Sequence, residues 1–102
     1  MSSNEIMKTE NVLVRTMKLE KNGSTEWHYH SEVRDVFVCL HGALRVETRN
    51  PDGETLLIPG QRTEVAPGNV HRVVNAAGDT AEYLLIQGVG KYDFIKVAGV
   101  NP

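Results

Sequence analysis

Cysteine is nearly absent from this chain: Cys39 stands alone among 102 residues. A lone thiol excludes an internal disulfide framework, which suits a reducing compartment, and it rules out a structural zinc finger of the usual spacing. No apolar run approaches the roughly 20 residues that a membrane helix needs. Positive charge is also lacking. The formal net charge is −2, so there is no basic surface for nucleic acid or anionic lipid. The first ten residues, Met1 to Glu10, are polar and mixed in charge. They lack the apolar stretch of a secretory signal, so a cytoplasmic protein is expected. No Gly-rich loop opens a helix, which removes the case for nucleotide binding. No internal repeat or low-complexity segment stands out.

What remains is a single domain's worth of chain with 40% hydrophobic and 24% charged residues, ordinary values for a globular domain. Its pattern is short apolar runs divided by Gly, Pro, Asn and Asp, the mark of an all-β chain. Val12, Val14 and Thr16 begin one alternating run. Trp27 to His30 is a short extended piece, and Asp35 to Leu40 is a strong strand closed by His41-Gly42. Ala43 to Thr48 follows at once, placing Gly42 in or beside a tight turn. In Asn50-Pro51-Asp52-Gly53 a turn is expected because Pro sets φ and Gly accepts positive φ. Further strands are expected over Glu54 to Ile58, Arg62 to Val65, Val70 to Asn75, Glu82 to Gln87 and Tyr92 to Val97. About nine short strands at regular spacing, with no helix, point to a sandwich or barrel. Val36 to Leu40 is apolar on both faces, which calls for a partner outside the barrel, so a homodimer is expected.

His28 and His30 are spaced i, i+2. On a strand this puts both imidazoles on one face, about 7 Å apart along the chain. Side by side, they are best accommodated by a cation that binds their neutral nitrogens, as transition metals do. Asp35 opens the next strand and His71 opens one much further on. If the two adjoin in a barrel, three imidazoles and a carboxylate converge. Such a set suits Mn, Fe, Co, Ni, Cu or Zn rather than Ca or Mg, which prefer oxygen shells.

These residues carry a resemblance to the cupin superfamily and its small single-domain members. The first motif of that family, G-x5-H-x-H-x3–4-E-x6-G, is matched by Gly23, His28, His30, Asp35 and Gly42. The second, G-x5-P-x-G-x2-H-x3-N, is matched by Gly60, Pro67, Gly68, His71 and Asn75. There are three departures. The gap from Gly23 to His28 is one residue short, Ala66 stands at the proline position with Pro67 beside it, and Asp35 replaces the usual glutamate. Asp is one methylene shorter, so its reach to an ion differs. The resemblance implies an all-β, double-stranded β-helix (cupin or jelly-roll) barrel, with the conserved barrel over about residues 12–97 and tails at residues 1–10 and 98–102. It also implies one divalent transition metal on His28, His30 and His71, with Asp35 as candidate fourth ligand. Asn75 in this family supports its strand.

Alternation from Asp35 turns Phe37 and Cys39 toward the site, and alternation from His71 turns Val73 and Asn75 inward. Tyr83, Leu85 and Gln87 form a similar set whose face is open. The result is a mostly apolar wall with few polar groups, the make-up of a small-molecule pocket and equally of a barrel core. Glu32, two residues past His30, is a weak candidate for a catalytic acid or base, against the plainer reading of a solvated loop residue. Cys39 reads as buried filler and His41 as surface. One of Arg34, Arg45, Arg49, Arg62 or Arg72 is a candidate for meeting an anion at the barrel mouth. An open coordination position permits Lewis-acid or water-activation chemistry. The expected function is therefore a metal-dependent enzyme on a small carbonyl- or oxygen-bearing molecule, of dioxygenase, isomerase or cyclase type. The alternatives are a non-catalytic small-molecule or metal-binding module, and a barrel whose site has decayed.

Overall fold

The structure is a computed structural model and describes residues 1–98. The tail expected to be loose, Gly99 to Pro102, lies outside the described residues. Ten strands follow one another: β1 (Ser2–Lys8), β2 (Val12–Leu19), β3 (His28–Tyr29), β4 (Arg34–His41), β5 (Leu44–Arg49), β6 (Gly53–Leu57), β7 (Arg62–Val65), β8 (Val70–Asn75), β9 (Ala81–Gly88) and β10 (Ile95–Lys96). They form two five-stranded antiparallel sheets, ordered β1-β2-β9-β4-β7 and β10-β3-β8-β5-β6. This is the two-layer barrel expected of regularly spaced short strands. Among the described residues no helix is long and apolar enough to cross a membrane.

Strict alternation builds the interior. In β9, Ala81, Tyr83, Leu85 and Gln87 are buried while the residues between them are half-exposed. Across the ladder from them in β4 lie Cys39, Phe37 and Asp35, paired with Tyr83, Leu85 and Gln87 in turn. The face left open for β9 in the sequence is thus the inner one. The core gathers Met17, Leu19, Phe37, Cys39, Leu44, Val46, Leu57, Val65, Val73, Ala81, Tyr83 and Leu85. It fills one end of the barrel and leaves the other to the polar residues. Asn75 ties off the filled end. Its Nδ2 donates to the carbonyls of Leu19, Glu20 and Asp79 at 3.1, 2.9 and 2.8 Å, and its Oδ1 accepts from the Ala77 N–H at 2.8 Å.

Three details differ from the sequence expectations, and the phase of β2, which the sequence left open, is given by its register. Residues 1–10 are not a simple tail, because Ser2–Lys8 pairs along β2 as an edge strand whose seven residues are all exposed. In β2 the set Val12, Val14, Thr16 faces outward, and Leu13, Arg15, Met17 and Leu19 occupy the inward positions that pair with the inner residues of β9. At the turn after β5 the positive φ falls on Asn50 (54°) rather than on Gly53. The last segment is strand only at Ile95–Lys96. Gly42 behaves as expected, with φ +78° and a position where an added Cβ would meet the Thr80 carbonyl at 2.9 Å. No side chain fits there.

Candidate metal centre

The two sheets bring the candidate ligands together from opposite sides. His28 in β3 pairs directly with His71 in β8. Asp35 comes from β4 in the other sheet, and His30 follows β3 as the chain crosses toward β4. All four are buried, each with under 5% of its surface exposed. One ligand atom from each lies within 4.8 Å of all the others. Bonds of about 2.0–2.2 Å place donors roughly 3–4.4 Å apart in tetrahedral or octahedral shells, so the spacing of this cluster fits a transition ion.

The hydrogen bonds make the fit sharper. His28 Nδ1 faces the Glu26 carbonyl at 2.6 Å, His30 Nδ1 the Asp93 carbonyl at 2.5 Å, and His71 Nδ1 the Asn69 carbonyl at 2.8 Å. A carbonyl oxygen only accepts, so each Nδ1 carries the hydrogen and each neutral ring keeps its lone pair on Nε2; that of His30 also faces the Gln87 Nε2 amide at 3.3 Å. Yet His30 Nε2 and His71 Nε2 lie 3.1 and 3.0 Å from Asp35 Oδ2, another acceptor. Lone pairs facing one another inside a barrel require a cation between them, either a metal ion or protons. A carbonyl behind a ligating imidazole is also the usual outer support of a metal site.

Electrostatics follow the same geometry. Burial dominates at His28 and pushes its pKa from 6.5 down to about 4, so it is neutral near pH 7. At His30 burial opposes the charged form, but the Asp35 carboxylate outweighs it and raises the pKa above the usual value. Burial likewise opposes ionisation of Asp35, yet His30 and His71 hold its carboxyl well below the ordinary carboxylate range. The sequence departure at Asp35 is therefore accommodated: the shorter side chain touches two of the three imidazoles. Its other oxygen, Oδ1, accepts from Gln87 Nε2 at 3.0 Å.

A cavity of about 380 Å³ opens onto His28, His30 and Asp35, bordered by Arg15, Met17, Phe37, Leu85, Gln87, Tyr92 and Phe94 among others. Phe94 stacks on the His28 ring at 4.2 Å between centroids, and Tyr92 lies 5.5 Å from His30. Glu32, the weak acid–base candidate, is not brought to this wall. It stays on the exposed loop, where its Oε1 accepts the Lys91 N–H at 3.3 Å. Cys39 is fully buried in the core and His41 is exposed, as expected. Of the five arginines singled out earlier, Arg62 is exposed on β7 away from the cavity, and the other four are engaged elsewhere. Arg34 meets Glu64. Arg45 and Arg72 share the Glu47 carboxylate at 2.7 Å each. The guanidiniums of Arg49 and Arg72 lie 4.2 and 4.7 Å from the centre of the Trp27 ring. The arginine at the cavity is Arg15, which the sequence reading passed over.

Fold and site together define a double-stranded β-helix barrel whose interior holds a cluster of four residues able to bind a metal. The chain belongs to the cupin family: the Cupin domain family matches residues 15–87. No curated protein matches it. Among solved structures it is similar to an uncharacterised conserved protein with a double-stranded β-helix domain from Klebsiella pneumoniae subsp. pneumoniae MGH 78578. The two share 18% identity and a TM-score of 0.82, over 94% of this chain and 83% of that one. It is also similar to KdgF from Halomonas sp. (16% identity, TM-score 0.76, 87% and 78% covered). A third similar structure is an oxalate oxidase (15%, TM-score 0.82), where 99% of this chain spans only 59% of that one. At these identities the likeness is one of fold.

Proposed function

We propose that this chain is a metal-dependent cupin enzyme acting on a small carbonyl- or oxygen-bearing molecule. His28, His30 and His71 hold one divalent transition-metal ion, with Asp35 as fourth ligand. The ion is one of Fe, Mn, Ni, Zn, Co or Cu. The observation that carries the reading is the set of Nδ1-committed imidazoles whose Nε2 lone pairs converge with a carboxylate. When bound, such an ion supplies an open coordination position for Lewis-acid, water-activating or, with iron, oxygen chemistry of dioxygenase, isomerase or cyclase type.

The protein's own residues prepare the site. The Glu26, Asp93 and Asn69 carbonyls fix the three rings in one tautomer and orientation. Gln87 holds Asp35 in place. Phe94 and Tyr92 cover the imidazoles on the mouth side and limit water there. A non-catalytic binding module is the second reading. It is favoured by the distance of Glu32 from the cavity wall: among the described residues the one loop carboxylate that borders the cavity is Glu26, which pairs with Lys96 at 3.3 Å.

Elemental analysis of untagged protein by plasma mass spectrometry tests the proposal, with wild type beside a His28→Ala/His30→Ala double variant. Near one equivalent of a single transition metal, lost in the variant, is the expected result. Wild type that holds no metal even after Fe, Mn, Ni and Zn are added back would overturn it. A homodimer belongs to the same proposal. Support comes from the outer face of the β1-β2-β9-β4-β7 sheet, where Val14, Val36, Val38, Leu84 and Ile86 are half-exposed and Leu40 is 45% exposed. Light scattering of wild type and Val36→Glu checks this. A mass of one chain for wild type would refute it.

A further inference from the structure

Arg15 takes an inward position on β2 between Leu13 and Met17, where the strand is otherwise apolar. A guanidinium turned onto an apolar wall costs free energy unless something matches its charge. Among the described residues no carboxylate lies within ion-pair distance of Arg15, and the one π face near its guanidinium is the Tyr92 ring at 5.4 Å. Its partners are neutral. Nη2 donates to Gln87 Oε1 at 3.0 Å and to the Tyr92 hydroxyl at 3.3 Å. Nε is buried with no hydrogen-bond partner. The side chain nonetheless borders the same cavity as His28, His30 and Asp35.

We propose that Arg15 is the anchor for a carboxylate of the small molecule, so that the cavity takes a short carboxylic acid bearing a second oxygen. This rests on the metal reading given above and assigns its substrate class. Gln87 supports the inference in two ways. Its Oε1 faces Arg15, and its Nε2 donates to Asp35 Oδ1, so one amide joins the guanidinium to the ligand cluster. Two hydrogen bonds and an amide keep Arg15 Nη2 within about 8 Å of Asp35. A molecule with its carboxylate at Arg15 and a hydroxyl, carbonyl or second carboxylate a few bonds away spans that gap.

Charge balance points the same way. Asp35 is already shared by His30, His71 and Gln87, and Glu26 is paired with Lys96. With a divalent ion in place and the imidazoles neutral, the cavity carries excess positive charge, which an anionic ligand offsets. Tyr92 completes the recess. Its oxygen accepts from Arg15, which leaves its own O–H to donate to an incoming oxyanion.

The test is titration calorimetry on the metal-reconstituted protein, using lactate and malonate beside their neutral amides, with metal content measured on the same samples. We expect the acids to bind at least tenfold more tightly than the amides. Arg15→Met should lower acid affinity by about 10- to 100-fold, as loss of a charge-assisted contact does. It should remove the acid-over-amide preference while metal content is kept. Arg15→Lys, which keeps the charge, should retain part of it, and thermal unfolding confirms that both variants fold. Acids that bind no better than amides, absence of acid binding, or an undiminished preference in folded Arg15→Met would each overturn the inference. The two proposals fail separately. Wild type without metal that still shows an Arg15-dependent acid preference refutes the metal reading and upholds this one.

Discussion

Replacing Asp35 by Asn should stabilise the metal-free protein while weakening its hold on metal. Asp35 is 1% exposed, and its Oδ2 lies 3.0–3.1 Å from two imidazole nitrogens that are acceptors when the rings are neutral. An Asn amide nitrogen in that position offers a hydrogen to each, and its oxygen still accepts from Gln87. Two opposed contacts become two neutral hydrogen bonds and a buried charge disappears. At about 1 kcal/mol per net bond the gain is roughly 1–3 kcal/mol, or about 5–20 °C in a domain of this size. The metal side moves the other way. With metal at 1,000 times Kd, binding adds about 4 kcal/mol to stability. If the amide weakens affinity 100-fold, the same metal concentration adds only about 1.4 kcal/mol. Thermal unfolding with and without a chelator reads both terms. It should be run on the alkaline side of the raised His30 pKa, located by proton NMR, so that protons do not replace the missing cation. A Tm that falls in Asp35→Asn with chelator present, together with an unchanged metal-induced shift, would refute the lone-pair argument.

Other expectations follow from the same geometry. Asp35→Glu should keep or improve metal affinity if the carboxylate is a ligand, since it restores the family's usual residue; complete loss of metal in elemental analysis would mean the pocket is cut for the shorter side chain. In chelator-treated protein His28 should stay neutral down to about pH 4, because burial disfavours its charged form. Its contribution to stability is then complete above the unfolded value of 6.5 and is lost as pH falls toward 4. His30, with its raised pKa, contributes in the opposite sense: its stabilisation is present below 6.5 and is lost as pH rises through the higher folded value. Proton NMR titration of the ring signals separates the two. Asn75→Ala should destabilise by roughly 2 kcal/mol, since it strands the buried carbonyl of Leu19 and removes the partner of the part-buried carbonyls of Glu20 and Asp79; a loss under 1 kcal/mol by denaturant titration would mean that water takes over.

Much of the site was legible because its signals are local. His28, His30 and Asp35 lie within one short stretch, and the spacing around His71 repeats a turn-then-strand pattern. The inner faces of β4 and β8 followed from period-two alternation. β2 shows where that rule loses its grip. Val12, Val14 and Thr16 are as strand-like as Leu13, Met17 and Leu19, so polarity does not choose the phase, and a charged residue at the inward Arg15 position points the wrong way. Only the register with β9 decides it. β1 was invisible for a related reason: its residues are mostly polar and all exposed, and pairing with β2 alone makes it a strand. Tyr92 and Phe94 reach the cavity from a stretch with almost no regular structure, for which periodicity offers nothing.

The Trp27 cluster on the back of β3 and β8 has a consequence for ion selection. Trp27 precedes His28 and Arg72 follows His71; the guanidiniums of Arg49 and Arg72 both lie over the Trp27 ring, and Arg72 also grips Glu47. The backbone segments that carry two of the imidazoles are thus braced from behind before any ion arrives. Under the metal reading, a cage braced in this way would select its ion by radius and bond angle more than by adapting to it.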